Sequence, residues 1–296
     1  MTTNSWSSRI RHDSDAMWRE WRDDLITRLA TVGLGVAETN ITAGAGARAG
    51  TNAEAGYAVF YLNDSLHATA PIYIRFGFGT GTGTSIPRIQ VTVGTSTNGS
   101  GVLGGTALST ITSIHSNAAM SSDIARTSYL CCVAGFFGMS WKVGASTAEA
   151  GFFICRSCDT DGTPNATGAI AHWADSTVSG WNKRQMFRFA TEPAAYTAVT
   201  TVITGALGIC PAGMSGSGLT GGDAQAFLGW MGVPEVSPVF GVCGVFSGEL
   251  TIGSTFSATL LGSTARTFIT LSNSFGPFGP LGTTGSGGLN CAMLWE

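Results

Sequence analysis

The chain has 296 residues, a formal net charge of −3 and a charged fraction of only 11%. Soluble domains carry about 25% charged residues, so these few charges favour a subunit whose surface is buried against other subunits. The small negative charge provides neither the basic footprint of a nucleic-acid-binding protein nor a polybasic patch for a membrane surface. With 44% hydrophobic residues, the composition also argues against a disordered chain.

The first 33 residues predict an amphipathic helix. Apolar side chains recur at spacings of three and four, which places them on one helical face: Trp18, Trp21, Leu25, Leu29 and Val32. Asp13 or Ser14 is expected to cap the start of the helix, and Gly33 to end it. The stripe either packs on the β body of its own chain or docks to neighbouring copies. We predict residues 1–33 to be a helical anchor with these five side chains as its interface.

Residues 34–56 predict a linker or extended arm, because Ala, Gly, Thr and Asn dominate the stretch ITAGAGARAGTNAEAG. The clearest strand pattern follows this arm. Apolar and polar residues alternate from Pro71 to Phe78 and again from Pro87 to Val93, with a Gly/Thr/Ser loop from Gly79 to Ser85 between them. The pattern predicts two adjacent half-buried strands, and we expect the loop to offer a contact surface to a neighbouring subunit.

The rest of the chain alternates short apolar segments with glycine-rich turns. This pattern predicts a mainly β fold, an antiparallel, jelly-roll-like β-sandwich with an N-terminal helix. The β body would span residues 57–296, as one domain or as two packed subdomains divided near 175–195. The longest apolar run, Ala194 to Cys210, is diluted by Thr and Gly, so two strands explain it better than a membrane helix.

Three motifs have spacings typical of chemical sites, and each has a simpler structural interpretation. Cys155 and Cys158 lack a second pair to complete a zinc site, so we expect buried, reduced thiols. The stretch Gly99–Gly104 matches the dinucleotide-binding fingerprint, but no convincing helix follows it. The stretch Asp159–Gly162 resembles the start of a calcium loop, but the later positions lack oxygen ligands, so we expect a hairpin turn.

No catalytic constellation stands out. The four histidines are scattered without a paired acid nearby: His12, His67, His115 and His172. The stretch Gly213–Gly218 lacks the spacing of a nucleophile elbow. Two facing acids would suffice for glycan hydrolysis, but no local pattern selects two among the 13 acids beyond residue 33. Trp173 and Trp181 suit either a sugar platform or the core. We predict no enzyme, and no catalytic, cofactor-binding or metal residues.

Four segments carry a resemblance to a known family. They are the Trp-containing helix that ends in a Gly-Leu pair (18–34), GYAVFYLNDSLHATAP (56–71), FGFGTGTGTSIPRIQVTVGTSTNGSG (76–101) and FFICRSCDTDGT (152–163). In combination, they resemble virion proteins of tailed bacteriophages. The resemblance reaches as far as Thr163. It implies a structural virion protein, such as a tail fibre, a baseplate component or another tail appendage, and it supplies no catalytic residues.

These expectations define a working hypothesis about partners. A low-charge β protein with reduced cysteines and no visible export signal fits a virion subunit assembled in a host cytoplasm. Its partners would be copies of itself, in a trimer or a ring, and other tail or baseplate proteins, without nucleic acid or membrane. Three alternatives stay open: a module that binds host-surface glycans through loops such as Ser274–Gly288, a glycan-degrading tailspike, and a capsid decoration protein.

Overall fold

The structure is a computed structural model in which strands dominate. It describes residues 4–9, 13–81, 87–104, 112–115, 125–142, 149–159, 162–174, 183–188, 208–210, 216–217, 225–231, 237–246, 253–258, 265–271 and 289–296. These residues contain one helix near the N-terminus and several antiparallel sheets, so the predicted mainly β, sandwich-like fold with an N-terminal helix is confirmed.

The helix and strands are numbered in chain order. The helix α1 is Asp15–Thr31. The first strands are β1 (Asn4–Arg9), β2 (Gly35–Thr39), β3 (Glu54–Tyr61), β4 (Tyr73–Thr80), β5 (Pro87–Gly94), β6 (Ser96–Thr97), β7 (Leu103–Gly104) and β8 (Thr112–His115). Next come β9 (Ala125–Val133), β10 (Phe136–Lys142), β11 (Glu149–Cys158), β12 (Pro164–Ala174) and β13 (Lys183–Arg188). The last are β14 (Gly208–Cys210), β15 (Gly216–Ser217), β16 (Gln225–Met231), β17 (Ser237–Phe246), β18 (Thr255–Ala258), β19 (Arg266–Thr270) and β20 (Leu289–Leu294).

Helix α1 begins and ends where its sequence predicts. Ser14 is the N-cap, and its hydroxyl accepts a hydrogen bond from the backbone N–H of Met17 at 3.2 Å. Acidic Asp15 lies in the first turn, where it complements the helix dipole. Gly33, just beyond the C-cap Val32, has a φ of +121°, a conformation that glycine adopts without steric cost.

The front sheet contains five strands in the order β2-β3-β4-β5-β8, all antiparallel to their neighbours. The predicted pair of adjacent strands is confirmed as β4 and β5, with Phe76 opposite Val91. Because alternate residues of a strand point to opposite faces, Ile74, Phe76 and Phe78 share one fully buried face. A short hairpin of β6 and β7 lies between β5 and β8 in the chain.

The other large sheet has thirteen strands and two parts. Its first part, the middle sheet, has the order β1-β9-β10-β11-β12-β13. Its second part, the rear sheet, has the order β14-β16-β17-β20-β19-β18-β15. The two parts join where Ser157 of β11 lies opposite Val239 of β17.

Both faces of the middle sheet are covered. Toward the front sheet, one continuous core contains the helix stripe and buried residues of both sheets, among them Phe76 and Phe137, whose ring centroids are 6.3 Å apart. Toward the rear sheet, the backbone of Gly241 lies against the ring of Phe136, and Tyr129 packs edge-on against Trp295 with centroids 5.8 Å apart. The chain is therefore built in three layers.

The N-terminal segments differ from the predicted anchor and linker. Strand β1, before the helix, pairs with β9, so residues 1–33 contribute a strand to the middle sheet. Strand β2 pairs with β3, which places Gly35–Thr39 inside the front sheet rather than in a linker. The strand pairing of the body changes partners between Arg188 and Gly208, where the rear sheet begins.

Candidate functional site

The predicted interface stripe lies in the protein core. Trp18, Leu29 and Val32 are completely buried, and Trp21 and Leu25 are nearly so. Trp21 packs edge-on against Phe78 of the front sheet, with ring centroids 6.4 Å apart. The structure thus has the first of the two arrangements considered, in which the helix packs on its own chain. This corrects the interface interpretation, because side chains that pack on their own sheets are not exposed for docking.

A strap, defined here as residues 42–48, crosses the helix. The guanidinium of Arg22, which is 2% exposed, stacks over the ring of Trp18 at 4.6 Å. Its Nη2 donates hydrogen bonds to the carbonyl oxygens of Thr42, at 3.3 Å, and Ala45, at 3.1 Å. A charged side chain that is buried must find polar partners, and for Arg22 the strap backbone supplies two of them.

Other charged residues of the helix hold the same strap. The hydrogen bonds are Arg19 Nη1 to the Gly46 carbonyl at 2.6 Å, the Gly44 N–H to Asp23 Oδ2 at 2.7 Å and the Arg48 N–H to Asp15 Oδ1 at 3.0 Å. The N–H of Arg48 holds the pKa of the Asp15 carboxyl below its ordinary value, because this bond favours the ionised form. The segment predicted as an arm is therefore fixed to the helix.

A buried ion pair connects the front and middle sheets. Asp64 lies in the loop 62–72 between β3 and β4, and Arg156 lies in β11. Arg156 Nε donates to Asp64 Oδ2 at 2.7 Å, and Nη2 donates to Asp64 Oδ1 at 2.9 Å, with side-chain exposures of 0% and 2%. Arg156 Nη2 also donates to the Ala70 carbonyl at 2.9 Å. This two-bond geometry is the strong form of an Arg–carboxylate pair, and we call it the interlayer pair.

The turn between β9 and β10 completes this junction. The N–H of Gly135 donates to Asp64 Oδ2 at 3.2 Å, and the N–H of Arg156 donates to the Gly135 carbonyl at 2.8 Å. The N–H of Leu66 donates to the other carboxylate oxygen of Asp64 at 3.1 Å. One carboxylate therefore fastens three segments: the loop 62–72, the turn at Gly135 and strand β11.

Sequence reasoning did not identify this pair, although a signal was present. Arg156 is the one charged residue in the apolar stretch AGFFICRSC, and a charge inside such a strand requires a buried partner. The partner Asp64 lies in the stretch GYAVFYLNDSLHATAP. Two of the four segments that carry the phage resemblance thus meet in the structure, through one ion pair.

His67, in the same loop, lies in an aromatic cluster. Its ring centroid is 4.4 Å from that of Tyr61 on β3 and 5.4 Å from that of Tyr73 on β4. Its Nδ1 is buried and has no hydrogen-bond partner. Burial lowers the pKa of His67 below its ordinary value, and Arg156 lowers it further, whereas Asp64 acts in the opposite direction.

The outer face of the front sheet carries a second ion pair. Glu54 accepts hydrogen bonds from Arg75 Nη1 at 2.8 Å and Nη2 at 2.5 Å, and the guanidinium lies 4.7 Å from the centroid of the Tyr57 ring. Glu54 crosses above Gly77, where a Cβ atom would lie 2.0 Å from the carboxylate. Gly101 packs against the same Tyr57 ring. Arg75 and Gly101 therefore both cover this ring.

The edge strand β2 and the β6–β7 hairpin are joined by Glu38. Its Oε1 accepts hydrogen bonds from the hydroxyl of Thr97 and from the N–H of Gly101 at 3.2 Å. The two exposed large hydrophobic residues of the described chain lie beside these bonded residues: Val36, 54% exposed, and Val102, 61% exposed. These two exposed side chains mark the border formed by β2 and the β6–β7 hairpin, called the apolar edge here, as a candidate contact surface in the part of the chain that the structure describes.

The four cysteines whose side chains are described behave as the sequence predicts. Cys131, Cys132, Cys155 and Cys158 are buried and form no disulfide. Burial raises the pKa of the Cys131 and Cys132 thiols to about 12. Because the thiolate is the reactive form, both of these thiols are inert at neutral pH.

Two further motifs, residues 99–104 and the turn after Cys158, lie at least partly among the described residues. Residues 99–104 belong to the β6–β7 hairpin, in which Thr97 lies opposite Leu103. A hairpin turn follows Cys158, in which the N–H of Gly162 donates to the Asp159 carbonyl at 2.9 Å. The predicted hairpin turn after Cys158 is therefore confirmed.

Beyond residue 33, each acid whose side chain is described has its own polar partner. These pairs are Glu38 with Thr97, Glu54 with Arg75, Asp64 with Arg156, Asp159 with Asn165 and Glu296 with Arg266. Within the same residues, no group of three or more His, Cys, Asp or Glu side chains is placed to hold a metal ion. The part of the helix-and-strand body that is described also contains no helix long and apolar enough to cross a membrane.

Several predicted features lie outside the described residues. They are His12, Trp181, loop 274–288, most of loop 79–85 and most of the apolar run 194–210, together with the side chains of His115, His172 and Trp173. Comparison with known proteins adds no assignment: neither the scan against protein-family models nor the search of the curated proteins finds a match to this chain.

Proposed function

We propose that the chain is a structural subunit of a tailed-phage virion, a tail fibre, baseplate or other tail appendage component that is assembled in the host cytoplasm. The observation that carries this proposal is the interlayer pair. Asp64 and Arg156 lie in two segments that resemble the same family, and they are bonded to each other in the core. The resemblance therefore corresponds to one structural junction rather than to two unrelated stretches of sequence.

The low charge supports the assembly part of the proposal. A fraction of 11% charged residues suits a surface that is buried between subunits. The inert, reduced thiols suit a protein made in a reducing compartment. Its function would be to provide a rigid building block without chemistry of its own. Other virion tail proteins and copies of itself would be its partners.

For the contact between copies, we propose a surface other than the predicted helical anchor. Because the helix stripe is in the core, the candidate contact is the apolar edge of β2 and the β6–β7 hairpin. Strand β2 forms one border of the front sheet and presents exposed Val36 and Ala37, while its one charged residue, Glu38, is bonded to the β6–β7 hairpin. Natural edge strands that stay unpaired usually carry Lys, Pro or another protective charge.

Light scattering of the purified chain tests the assembly proposal. We expect an oligomer, and we expect Val36→Lys to shift it toward monomers, since a lysine on an edge strand opposes pairing. Glu20→Lys, on the exposed face of the helix, is the matched control and should leave the oligomer intact. A monomeric wild-type chain at high concentration would contradict the proposal.

The virion role needs a separate measurement. Antibodies raised against the chain should label the tail region of phage particles whose genome encodes it, in negative-stain electron microscopy. Labelling of the capsid shell would favour a capsid decoration protein instead. Particles that carry no label, with the chain absent from their mass-spectrometric protein content, would refute a role in the virion.

A further inference from the structure

The loop 62–72 has two features that are coupled by their position. It carries Asp64, which fastens the front sheet to the middle sheet, and three residues later it carries His67. The N–H of His67 donates to the Asp64 carbonyl at 3.1 Å, so the two residues belong to one backbone turn. A displacement of the His67 ring therefore acts directly on the residue that holds Arg156.

The surroundings of His67 favour its neutral form. The imidazole lies against the rings of Tyr61 and Tyr73, and Nδ1 is buried without a partner that could accept a proton from an imidazolium. A charged ring would have two donors to satisfy, one of them in this buried position.

The charged groups that face His67 are Asp64 on its own loop and Arg156 on β11. The carboxylate of Asp64 is already occupied by two bonds from Arg156 and two backbone N–H groups. An imidazolium at His67 would be repelled by Arg156 and would compete with it for this carboxylate. Protonation thus weakens the contacts that close the junction.

From this geometry we propose that the loop 62–72 is an acid-sensitive latch between the front and middle sheets, which His67 releases when it becomes protonated. At neutral pH, the ring is an uncharged wedge between Tyr61 and Tyr73, and Asp64 holds Arg156 and Gly135. In mild acid, the imidazolium no longer fits this cluster, and the loop separates from β11. The device is a property of the fold, and it does not depend on the proposed virion role.

The direction of the pH effect follows from linkage. The pKa of His67 is lowered in the folded state, so the opened state binds a proton more readily than the closed state does. Opening is therefore favoured as pH falls through the ordinary histidine value, about 6.5. At higher pH, both states are unprotonated and the latch is at its most stable.

Hydrogen exchange at the junction provides the test. The N–H of Gly135 donates to Asp64 across the latch, so its exchange reports on the opening of the latch. After correction for the intrinsic effect of pH, we expect a several-fold increase in the opening equilibrium between about pH 7.5 and about pH 5.5. Amides in the middle of α1 serve as the internal reference.

Variants distinguish the latch from general acid sensitivity. His67→Phe keeps an aromatic ring but cannot titrate, so the pH response at Gly135 should disappear. Asp64→Asn removes the carboxylate and should raise exchange equally at both pH values. If His67→Phe keeps the full response, or if the wild-type chain shows none, the proposal is overturned.

A second measurement applies if the His67→Phe variant does not fold. In an NMR titration, the Nε–H resonance of Arg156, which is bonded to Asp64, should follow the titration of His67. His67→Gln should abolish this response. A resonance of Arg156 that does not move while His67 titrates would equally refute the latch.

Discussion

The two sides of the front sheet carry similar ion pairs in opposite surroundings. At the junction with the middle sheet, the side chains of Arg156 and Asp64 are 0% and 2% exposed. On the outer face, those of Arg75 and Glu54 are 17% and 28% exposed. Both pairs use two guanidinium nitrogens on one carboxylate. The two pairs therefore differ mainly in burial. Burial sets how strongly the protein is destabilised when one member is removed and the other charge is left unpaired.

The first prediction uses the buried pair, where the largest effect is expected. Arg156→Met leaves the Asp64 carboxylate buried without its main partner, and removal of one member of such a pair destabilises a protein by about 3–5 kcal/mol. Urea unfolding of the wild type and the variant at neutral pH measures this difference. The midpoint should fall while the slope stays constant.

A double variant serves as the control for this prediction. Asp64→Leu combined with Arg156→Met removes both charges, and replacement of a buried ion pair by apolar residues is often close to neutral. We expect the double variant to recover most of the stability lost in the single one. A single variant within about 0.5 kcal/mol of the wild type would show that the pair does not hold the two sheets together.

The second prediction concerns the helix that was expected to be an anchor. Leu29 is completely buried in the core beneath the front sheet, so Leu29→Ala should destabilise the chain by about 3 kcal/mol. Ala30→Ser, at the next and exposed position, should change the stability by no more than about 0.5 kcal/mol. Equal effects at the two positions would contradict the packing of the helix. Deletion of residues 1–33 should likewise unfold the body rather than release it.

The local elements could be predicted from the sequence because their signals are local. Alternation in Ile74, Phe76 and Phe78 defines which face of β4 is buried. The hydroxyl of Ser14 and the conformational freedom of Gly33 define the ends of the helix. Each of these signals acts within a few residues, so no tertiary structure is needed to interpret them.

The contacts between distant segments could not be predicted in the same way. The helix stripe is equally compatible with an interface and with a core, and only the three-dimensional position of the two sheets decides between them. The sequence predicts a linker at the strap because its Gly and Ala side chains carry no signal, whereas its backbone groups bind Arg22 and Asp23. Asp64 and Arg156 are 92 residues apart in the chain, and no spacing rule connects them.

The third prediction compares the ion pair on the outer face with the interlayer pair. Arg75→Met removes the partly exposed pair with Glu54 but keeps a long side chain over Tyr57. Because water screens the remaining carboxylate, we expect a loss of at most about 1 kcal/mol, several times smaller than the loss at Arg156. Salt should reduce the effect at Arg75 more than the effect at Arg156. Similar losses at both sites, measured in the same urea series, would show that burial does not explain the difference.

The fourth prediction extends the comparison to a pair that is more exposed than the first two and has the smallest expected effect. Asp15 and Arg48, at side-chain exposures of 48% and 26%, join the helix to the strap. The N–H of Arg48 lowers the pKa of Asp15 in the folded state, so its contribution is present above the ordinary value of about 3.9 and is lost as pH falls through the lowered one. Asp15→Asn should therefore flatten the decline of the unfolding midpoint below about pH 4 and leave the midpoint at neutral pH only slightly lower. Asp24→Asn, an acid of the same helix that pairs with Arg28 instead of the strap, should keep the wild-type decline. If the two variants have the same acid profile, the bond to the strap does not stabilise the folded state.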